Sequence, residues 1–180
     1  MIKNTITLID HILMSIDSSK INVAVDMTAG NGYDTKKILD ILKPRKMYCF
    51  DVQEDAKNNT LARVGNRINF ILDSHANIDS YITDSIDIAI YNLGYLPGSN
   101  HSITTTYSEV IKSLKATLTL LSENGYILIT IYPGHDEGYK EKVEVENFLR
   151  SISQKEYTII KYDFINQINN PPYVISIYKI

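Results

Sequence analysis

The sequence predicts an α/β fold with a mostly parallel sheet of seven strands, helices on both faces and a C-terminal antiparallel β-hairpin. Short β-branched runs alternate with amphipathic helical patterns as far as Ile152. Beyond that point, two strand patterns are separated by too few residues for a helix, so they must pair as a hairpin. A chain of 180 residues is long enough for one hydrophobic core, and we expect a single domain over residues 1–180.

The first half of the chain alternates helices with strands. The first helical pattern covers residues 5–16 and places apolar side chains on one stripe, namely Ile6, Ile9, Leu13 and Ile16. Strands are predicted at residues 21–26, 47–51 and 68–72. Between the first two lies a helix with apolar residues at 38, 39, 41 and 42, and a helix of about ten residues begins near Glu54. These segments are βα units.

The second half continues the alternation and then departs from it. Strands are predicted at 86–91 and 126–131. Apolar residues on one helical face mark two further helices, at positions 110, 114, 118 and 121 and at positions 145, 148, 149 and 152. Strands 157–165 and 173–180 form the terminal hairpin. Five βα units closed by a hairpin is the plan of Rossmann-like class I methyltransferases, whereas a doubly wound dehydrogenase would continue with another βα unit.

Composition limits the compartment and the partners. The single cysteine, Cys49, lies in an apolar run and indicates a buried thiol in a reducing, cytoplasmic compartment. No apolar run approaches the roughly 20 residues that span a bilayer, so we expect no membrane partner. We also expect no metal. The net charge of −3 lacks the basic excess of general nucleic-acid binders. An RNA substrate would need a local patch such as Lys36, Lys37, Lys43, Arg45 and Lys46, which otherwise is a solvated helix end and loop.

A glycine-containing loop after the first strand is the sharpest motif. It runs from Asp26 to Thr35, and Gly30 and Gly32 allow the backbone to pass close to a ligand. Asp26 can accept hydrogen bonds in the cleft or orient an ammonium group through water. Asp51, nineteen residues after Gly32 at the end of the second strand, can accept both ribose hydroxyls of a nucleoside.

The glycine pattern discriminates between two nucleoside cofactors. Dinucleotide sites use G-x-G-x-x-G/A, with helix amides directed at a pyrophosphate. Here Thr35 occupies the third position and Asp34 precedes it. A carboxylate repels a pyrophosphate and attracts a cationic sulfonium and ammonium, which favours S-adenosylmethionine over NAD.

Further polar residues follow the third, fourth and fifth strands. Asp73 can accept from the adenine amino group or cap the turn after it, and His75 is a loop residue or a base. Asn92 and Tyr95 keep the two ends of the Asn/Asp-Pro-Pro-Tyr pattern of amino-directed methyltransferases, in which an amide holds the target amine. Tyr95 either stacks on the base or packs under the loop.

The literal Asn170-Pro171-Pro172-Tyr173 cannot occupy that position, because it precedes the last strand. A sixth strand parallel to the others nevertheless ends at the ligand edge of the sheet. The turn 166–172 is therefore a substrate wall or an ordinary rigid turn. Tyr132 and His135 follow the fifth strand and face the same cleft.

These motifs resemble those of a known family. The cofactor loop 26–35, the segments 92–98 and 101–105, and the tail segments 164–167 and 169–172 look like its three signatures. The family is that of the YtqB-like rRNA methylases, which includes the tRNA wobble-uridine methyltransferases termed MnmM, and the resemblance spans essentially the whole chain. Met27 and Tyr33 are conservative departures.

The resemblance implies methylation of the exocyclic amine of 5-aminomethyl-(2-thio)uridine at the tRNA wobble position, with the anticodon stem-loop as partner and S-adenosyl-L-homocysteine as by-product. The residues expected to bind the cofactor are Asp26, Thr28, Ala29, Gly30, Asn31, Gly32, Asp34, Thr35, Asp51, Gln53, Asp73, Ser74, His75 and Asn92. Those expected at the substrate are Leu93, Gly94, Tyr95, Pro97, Gly98, Ser102, Thr104, Thr105, Tyr132, His135, Asn166, Asn169 and Asn170.

The catalytic residues expected are Asn92, Tyr95 and His101. In this hypothesis Asn92 orients the amine, and His101 or His135 accepts its proton. Alternatives are an rRNA or small-molecule amine substrate, an NAD-dependent oxidoreductase and a silent RNA-binding module. A homodimer would enlarge the RNA-binding surface of so small a domain.

Overall fold

The computed structural model describes residues 1–93, 107–134 and 136–180, and it contains five α-helices and seven strands within those ranges. The helices are α1 (Thr5–Ser15), α2 (Tyr33–Ile41), α3 (Glu54–Val64), α4 (Tyr107–Leu120) and α5 (Asp136–Arg150). The strands are β1 (Val23–Asp26), β2 (Lys46–Asp51), β3 (Asn69–Leu72), β4 (Ile86–Leu93), β5 (Leu121–Ile131), β6 (Tyr157–Tyr162) and β7 (Tyr173–Lys179). Two short 3₁₀ segments, Ser18–Lys20 and His75–Ser80, complete the order.

All seven strands form one sheet in the order β3-β2-β1-β4-β5-β7-β6. The first five strands pair in parallel, and β7 is antiparallel to both β5 and β6. This confirms the predicted α/β class and the terminal hairpin. Since β6 runs in the same direction as β5, the residues between β6 and β7 lie at the carboxyl edge of the sheet, as expected.

Helices cover both faces of the sheet. Successive strand residues point to opposite faces, so each strand contributes to two apolar clusters. Val25, Phe50 and Ile129 pack in a cluster that includes residues of α4 and α5. Ala24, Cys49 and Leu128 pack in a second cluster that includes residues of α1, α2 and α3. Cys49 is a buried free thiol, in agreement with its sequence context.

Some predicted boundaries and one core residue were wrong. Ile6 is 58% exposed, because Leu8, Ile9 and Leu13 form the buried face of α1. The strand predicted at 21–26 begins at Val23, and β6 ends at Tyr162 instead of continuing to residue 165. Asn92 lies inside β4, where it pairs with Thr130, and does not follow the strand.

The topology locates one cleft. The chain leaves β1 toward β2 on one side, and returns to β4 on the other, so the loops after β1 and β4 diverge at this switch point. Ligands of open α/β sheets bind at the carboxyl ends of the strands beside such a point. Within the ranges given above, no helix is both long and apolar enough to cross a bilayer.

Candidate methyltransferase site

The glycine loop between β1 and α2 is tied to β2 by backbone hydrogen bonds. The amide of Ala29 donates to the carbonyl of Phe50 at 2.9 Å, and that of Gly30 donates to Oδ2 of Asp51 at the same distance. Gly30 and Gly32 have φ values of 51° and 74°, a left-handed conformation that glycine adopts without strain. Contacts within the protein therefore fix the conformation of this loop.

Gly32 is required by the protein's own packing. A Cβ at this position would lie 2.9 Å from Cα of Thr60 in α3. We predicted that both glycines allow close approach to a ligand, but at Gly32 the group approached is α3. The hydroxyl of Thr60 also donates to the carbonyl of Gly30 at 3.1 Å, so α3 supports the loop from behind.

Asp26 lies beneath the loop and is only 1% exposed. Its Oδ1 accepts from the amide of Thr28 at 3.1 Å, and its Oδ2 accepts from the hydroxyl of Thr35 at 2.6 Å. Burial, followed by the charge of Asp34, raises the pKa of Asp26 to about 7. In this arrangement Asp26 holds the loop and the start of α2 together.

Asp51 ends β2 and lies closer to the surface. Its two oxygens accept from the amides of Gly30 and Gln53, at 2.9 and 3.0 Å. Burial raises the pKa of this carboxyl as well. Each carboxylate oxygen retains a second lone pair, so Asp51 can still accept hydroxyl groups of a ribose.

Three carboxylates thus surround one loop. Asp34 and Asp51 both raise the pKa of Asp26, which shows that their charges repel within a shared space. A cationic ligand relieves this repulsion, whereas a pyrophosphate would increase it. The residues present therefore fit S-adenosylmethionine, which carries a sulfonium and an ammonium group.

Asn92 presents a free acceptor beside this acidic loop. Its backbone amide donates to the hydroxyl of Thr28 at 2.8 Å, and its Nδ2 donates to Oδ2 of Asp34 at 3.1 Å. A carboxylate only accepts, so this contact fixes which end of the amide faces Asp34. The opposite atom, Oδ1, is buried and has no hydrogen-bond partner.

Tyr132 follows β5 and lies close to the same group of side chains. Burial, followed by the charge of Asp34, raises the pKa of its phenol, and the side chain of Asn92 partly offsets this effect. The prediction that Tyr132 faces the cleft agrees with this placement. Leu93, also expected at the substrate, is buried in β4.

Of the two alternatives considered for Asp73, the structure excludes the cap of the following turn, and the contact with adenine stays a prediction. Ser74, rather than Asp73, caps the following 3₁₀ segment, because its Oγ accepts from the amide of Ala76 at 3.2 Å. Asp73 accepts from the hydroxyl of Tyr81 at 2.8 Å and from Asn77 and the amide of Ser74. The hydrogen bond from Tyr81 is the main reason that the pKa of Asp73 is lowered.

His75 is buried rather than a loop residue at the surface. It is 5% exposed, and its ring meets that of Tyr91 edge-on, with 5.7 Å between centroids. Neither ring nitrogen has a hydrogen-bond partner. Burial lowers the pKa of His75 to about 4, so the ring is neutral at pH 7.

The tail turn, residues 163–172 between β6 and β7, borders the cleft. A Cβ at Gly134, just after β5, would lie 3.9 Å from the carbonyl oxygen of Asn170. Asn169 and Asn170 have φ values of 64° and 48°. Asn166 is exposed in the same turn.

Several predicted site residues lie outside the described residues. They are Gly94, Tyr95, Pro97, Gly98, His101, Ser102, Thr104, Thr105 and His135. Their expected roles, including those of the two proton-acceptor histidines, stay predictions.

The predicted basic patch is largely neutralised. Lys36 pairs with Asp40, Lys46 pairs with Asp84 at 2.8 Å, and Lys37 pairs with Asp10 at 2.9 Å. These pairs favour the alternative interpretation of a solvated helix end and loop.

Sequence reasoning missed the support that α3 gives to the loop. Nε of Arg63 donates to the carbonyl of Asn31 at 2.7 Å, and its guanidinium lies 3.7 Å above the ring of Tyr33. Nδ2 of Asn59 donates to the side chain of Asn31 at 2.9 Å. These contacts join residues about 30 positions apart, and no local pattern indicates them.

The sheet order and the acidic glycine loop at the switch point define a class I methyltransferase, the class that uses S-adenosylmethionine. Residues 47–178 match the family described as "Putative rRNA methylase". The chain belongs to this family.

Solved structures agree with this assignment. The chain is similar to a protein described as a "putative rRNA-methylase" from Clostridium thermocellum, with 34% identity, full coverage of both chains and a TM-score of 0.92. It is also similar to SMU.1697c from Streptococcus mutans, described as "a putative methyltransferase" and solved in complex with SAH, with 37% identity, full coverage of both and a TM-score of 0.88.

The name of one relative includes its substrate. The chloroplastic tRNA (mnm(5)s(2)U34)-methyltransferase of Arabidopsis thaliana is 27% identical over an alignment of 177 positions that covers 89% of this chain. The chain spans 65% of the length of that relative.

Proposed function

We propose that this protein transfers a methyl group from S-adenosylmethionine to the exocyclic amine of 5-aminomethyl-(2-thio)uridine at the tRNA wobble position, giving the methylaminomethyl form. The observation that carries the proposal is the buried, unpartnered Oδ1 of Asn92 beside the acidic loop. A buried acceptor without a partner is costly, and an N–H donor from a substrate amine would satisfy it. The name of the Arabidopsis relative supports the choice of amine.

The cofactor would be held by both sides of the loop. Asp51 would accept the ribose hydroxyls, the carboxylate of Asp34 would face the cationic groups, and the buried Asp26 would hold the loop in place beneath them. When bound, S-adenosylmethionine supplies an electrophilic methyl group: a nitrogen–carbon bond forms as the carbon–sulfur bond breaks, a neutral thioether remains, and the nitrogen loses one proton.

The residues of the chain position the amine rather than react with it. Asp34 holds Nδ2 of Asn92, so Oδ1 accepts an N–H and directs the nitrogen lone pair away from the amide. Tyr132 adds a neutral phenol beside this contact. Only the neutral amine is nucleophilic, and burial at this site favours its neutral form. Most of the catalysis is then positioning in a site that excludes water.

The same geometry accommodates other amines, and a ribosomal RNA base or a small-molecule amine is the second candidate substrate. The family description favours RNA. The deciding experiment is mass spectrometry of wobble nucleosides from cells with and without the gene. Accumulation of aminomethyl nucleoside in the deletion strain is expected, and an unchanged nucleoside profile would refute the tRNA assignment.

A purified-enzyme assay tests the role of Asn92. Transfer of labelled methyl to an anticodon stem-loop bearing the aminomethyl group should fall about 100-fold in kcat for Asn92→Ala, as when one positioned polar contact is removed from a transition state. Binding of S-adenosylhomocysteine should change only a few-fold. Asn58→Ala, an exposed position in α3, is the matched control. Unchanged turnover in Asn92→Ala would exclude this role.

A further inference from the structure

The tail turn exposes two large apolar side chains at the carboxyl edge of the sheet. Ile165 is 93% exposed and Ile168 is 81% exposed. Both belong to the segment between β6 and β7, in which the carbonyl oxygen of Asn170 approaches Gly134. Two aliphatic side chains exposed within four residues of one turn form an apolar surface that a partner can cover.

The turn is fastened at both ends, so the exposure is built into the fold. Oε1 of Glu146 in α5 accepts from the hydroxyl of Tyr173 at 2.8 Å and from Nζ of Lys161 at 3.1 Å. Tyr173 begins β7 and Lys161 is near the end of β6. One carboxylate thus holds the two strands that flank the turn.

The interior of the turn is also constrained. The amide of Gln167 donates to the carbonyl of Phe164 at 3.0 Å, and Phe164 packs against the core cluster of α1 and α2. Asn169 and Asn170 adopt left-handed φ values, which asparagine tolerates better than most residues, and two prolines follow. The turn therefore presents its side chains in a defined arrangement before any partner binds.

The chemistry of the turn fits nucleobases better than phosphates. The one charged residue of the turn, Asp163, is an anion, and residues 164–172 carry no charge. The two isoleucines alternate with the amides of Asn166, Gln167 and Asn169. Phosphate contacts need cations or directed backbone amides. Aliphatic side chains can instead cover or wedge between base faces, and amides can pair with base edges.

We propose that the tail turn binds unpaired bases adjacent to the target nucleotide, with Ile165 and Ile168 covering base faces and the neighbouring amides contacting base edges. This inference rests on the proposed function, since it takes the substrate to be a single-stranded RNA loop. Proteins that recognise RNA loops commonly use splayed, unstacked bases. A contact of this kind needs no basic side chains, which agrees with the net charge of −3.

The test is direct binding of an anticodon stem-loop RNA to the double variant Ile165→Ser/Ile168→Ser, measured by fluorescence anisotropy at several salt concentrations. We expect Kd to rise about tenfold while the slope of log K against log salt is unchanged, because no phosphate contact is lost. Binding of S-adenosylhomocysteine should be unchanged. Ile6→Ser in α1, 58% exposed in the wild type, makes the same chemical change elsewhere and should have no effect.

The outcomes separate this inference from the proposed function. Wild-type affinity in the double variant would overturn the inference and leave methyl transfer intact. Loss of a dimer in sedimentation, with unchanged RNA affinity per protomer, would overturn it in favour of contact between two copies. If the wild type binds the stem-loop through the isoleucines but methylates no RNA, the proposed function fails and only the contact between the tail turn and RNA stands. If the wild type neither binds nor methylates RNA, both fail.

Discussion

The cleft lies at the carboxyl ends of two pairs of strands, β1 with β2 and β3 with β4. The two pairs differ in whether their buried polar atoms have hydrogen-bond partners within the protein. At the ends of β1 and β2, the carboxylates of Asp26 and Asp51 accept hydrogen bonds from the loop and from Thr35. At the ends of β3 and β4, both ring nitrogens of His75 and Oδ1 of Asn92 are buried without partners. Buried polar atoms are rarely left unpaired. The chain itself completes the first half, and we propose that ligands complete the second.

The largest expected effect concerns Asp26. The ordinary pKa of 3.8 applies in the unfolded chain, and burial with the charge of Asp34 raises the folded value to about 7. Between these values the folded state holds the extra proton, so the free energy of unfolding falls as pH rises from about 4 to 7. Asp26→Asn should remove this fall in the free energy of unfolding, which is at most about 4 kcal/mol.

Urea unfolding between pH 4.5 and 8 measures this effect. Glu141, whose pKa burial also raises to about 7, contributes with the same sign and serves as the comparison. We expect Asp26→Asn and Glu141→Gln each to reduce the pH dependence of the free energy of unfolding. The double variant should reduce it more than either single variant. A wild-type slope retained in Asp26→Asn would contradict the raised pKa.

The second prediction tests whether the loop is built by protein packing. Gly32→Ala should lower the free energy of unfolding by about 3 kcal/mol, because the methyl group meets the backbone of Thr60 in a left-handed conformation. The strain of the left-handed backbone alone would lower the free energy of unfolding by only about 1 kcal/mol. A loss of that size in denaturant unfolding would show that the contact with α3 is unimportant.

The third prediction concerns the unsatisfied half of the cleft. His75→Phe removes two unpartnered nitrogens, so the free energy of unfolding at pH 7 should change by less than about 1 kcal/mol. Affinity for S-adenosylhomocysteine, measured by calorimetry, should fall about tenfold if the imidazole contacts the cofactor, the energy of one hydrogen bond. His11→Phe in α1 is the control. Unchanged affinity would remove His75 from the cofactor site.

The pH dependence of His75 has the opposite sign to that of Asp26. Burial lowers its folded pKa to about 4 from the ordinary 6.5. The unfolded chain binds the extra proton between these values, so this residue makes stability rise with pH from about 4 to 6.5. His75→Phe should therefore reduce the loss of stability below pH 6. A difference between wild type and variant that is constant over this range would contradict a buried neutral ring.

The smallest expected effect concerns the contact that joins the two halves. Asp34→Ala frees the amide of Asn92 to rotate, so kcat should fall about fivefold. Asp34→Asn keeps an oxygen that can accept from Nδ2 and should restore most of kcat at saturating S-adenosylmethionine, while the lost charge raises KM for the cofactor. Rescue by asparagine distinguishes positioning of Asn92 from a purely electrostatic role of the carboxylate. If both variants lose activity equally, the charge of Asp34 matters and the hydrogen bond does not.

The two halves also differ in how well the sequence predicts them. The order of strands and the acidic glycine loop follow from periodicity and spacing, because those signals are local. The burial of His75 does not, since it depends on Tyr91 and α4, which are distant in sequence. The contacts of Thr60 and Arg63 with the loop, and the neutralisation of Lys37 by Asp10, likewise join separate elements. Pairing across the fold, rather than local propensity, decides these features.

The antiparallel last strand has a practical consequence. Strand β7 begins with Tyr173 at the carboxyl ends of the parallel strands and runs toward their amino ends. There the amide of Ile180 donates to the carbonyl of Glu156. A linker joined after Ile180 therefore leaves on the side remote from the entrance. Immobilising the enzyme on a sensor chip through that end keeps the entrance open to an RNA in the flowing phase.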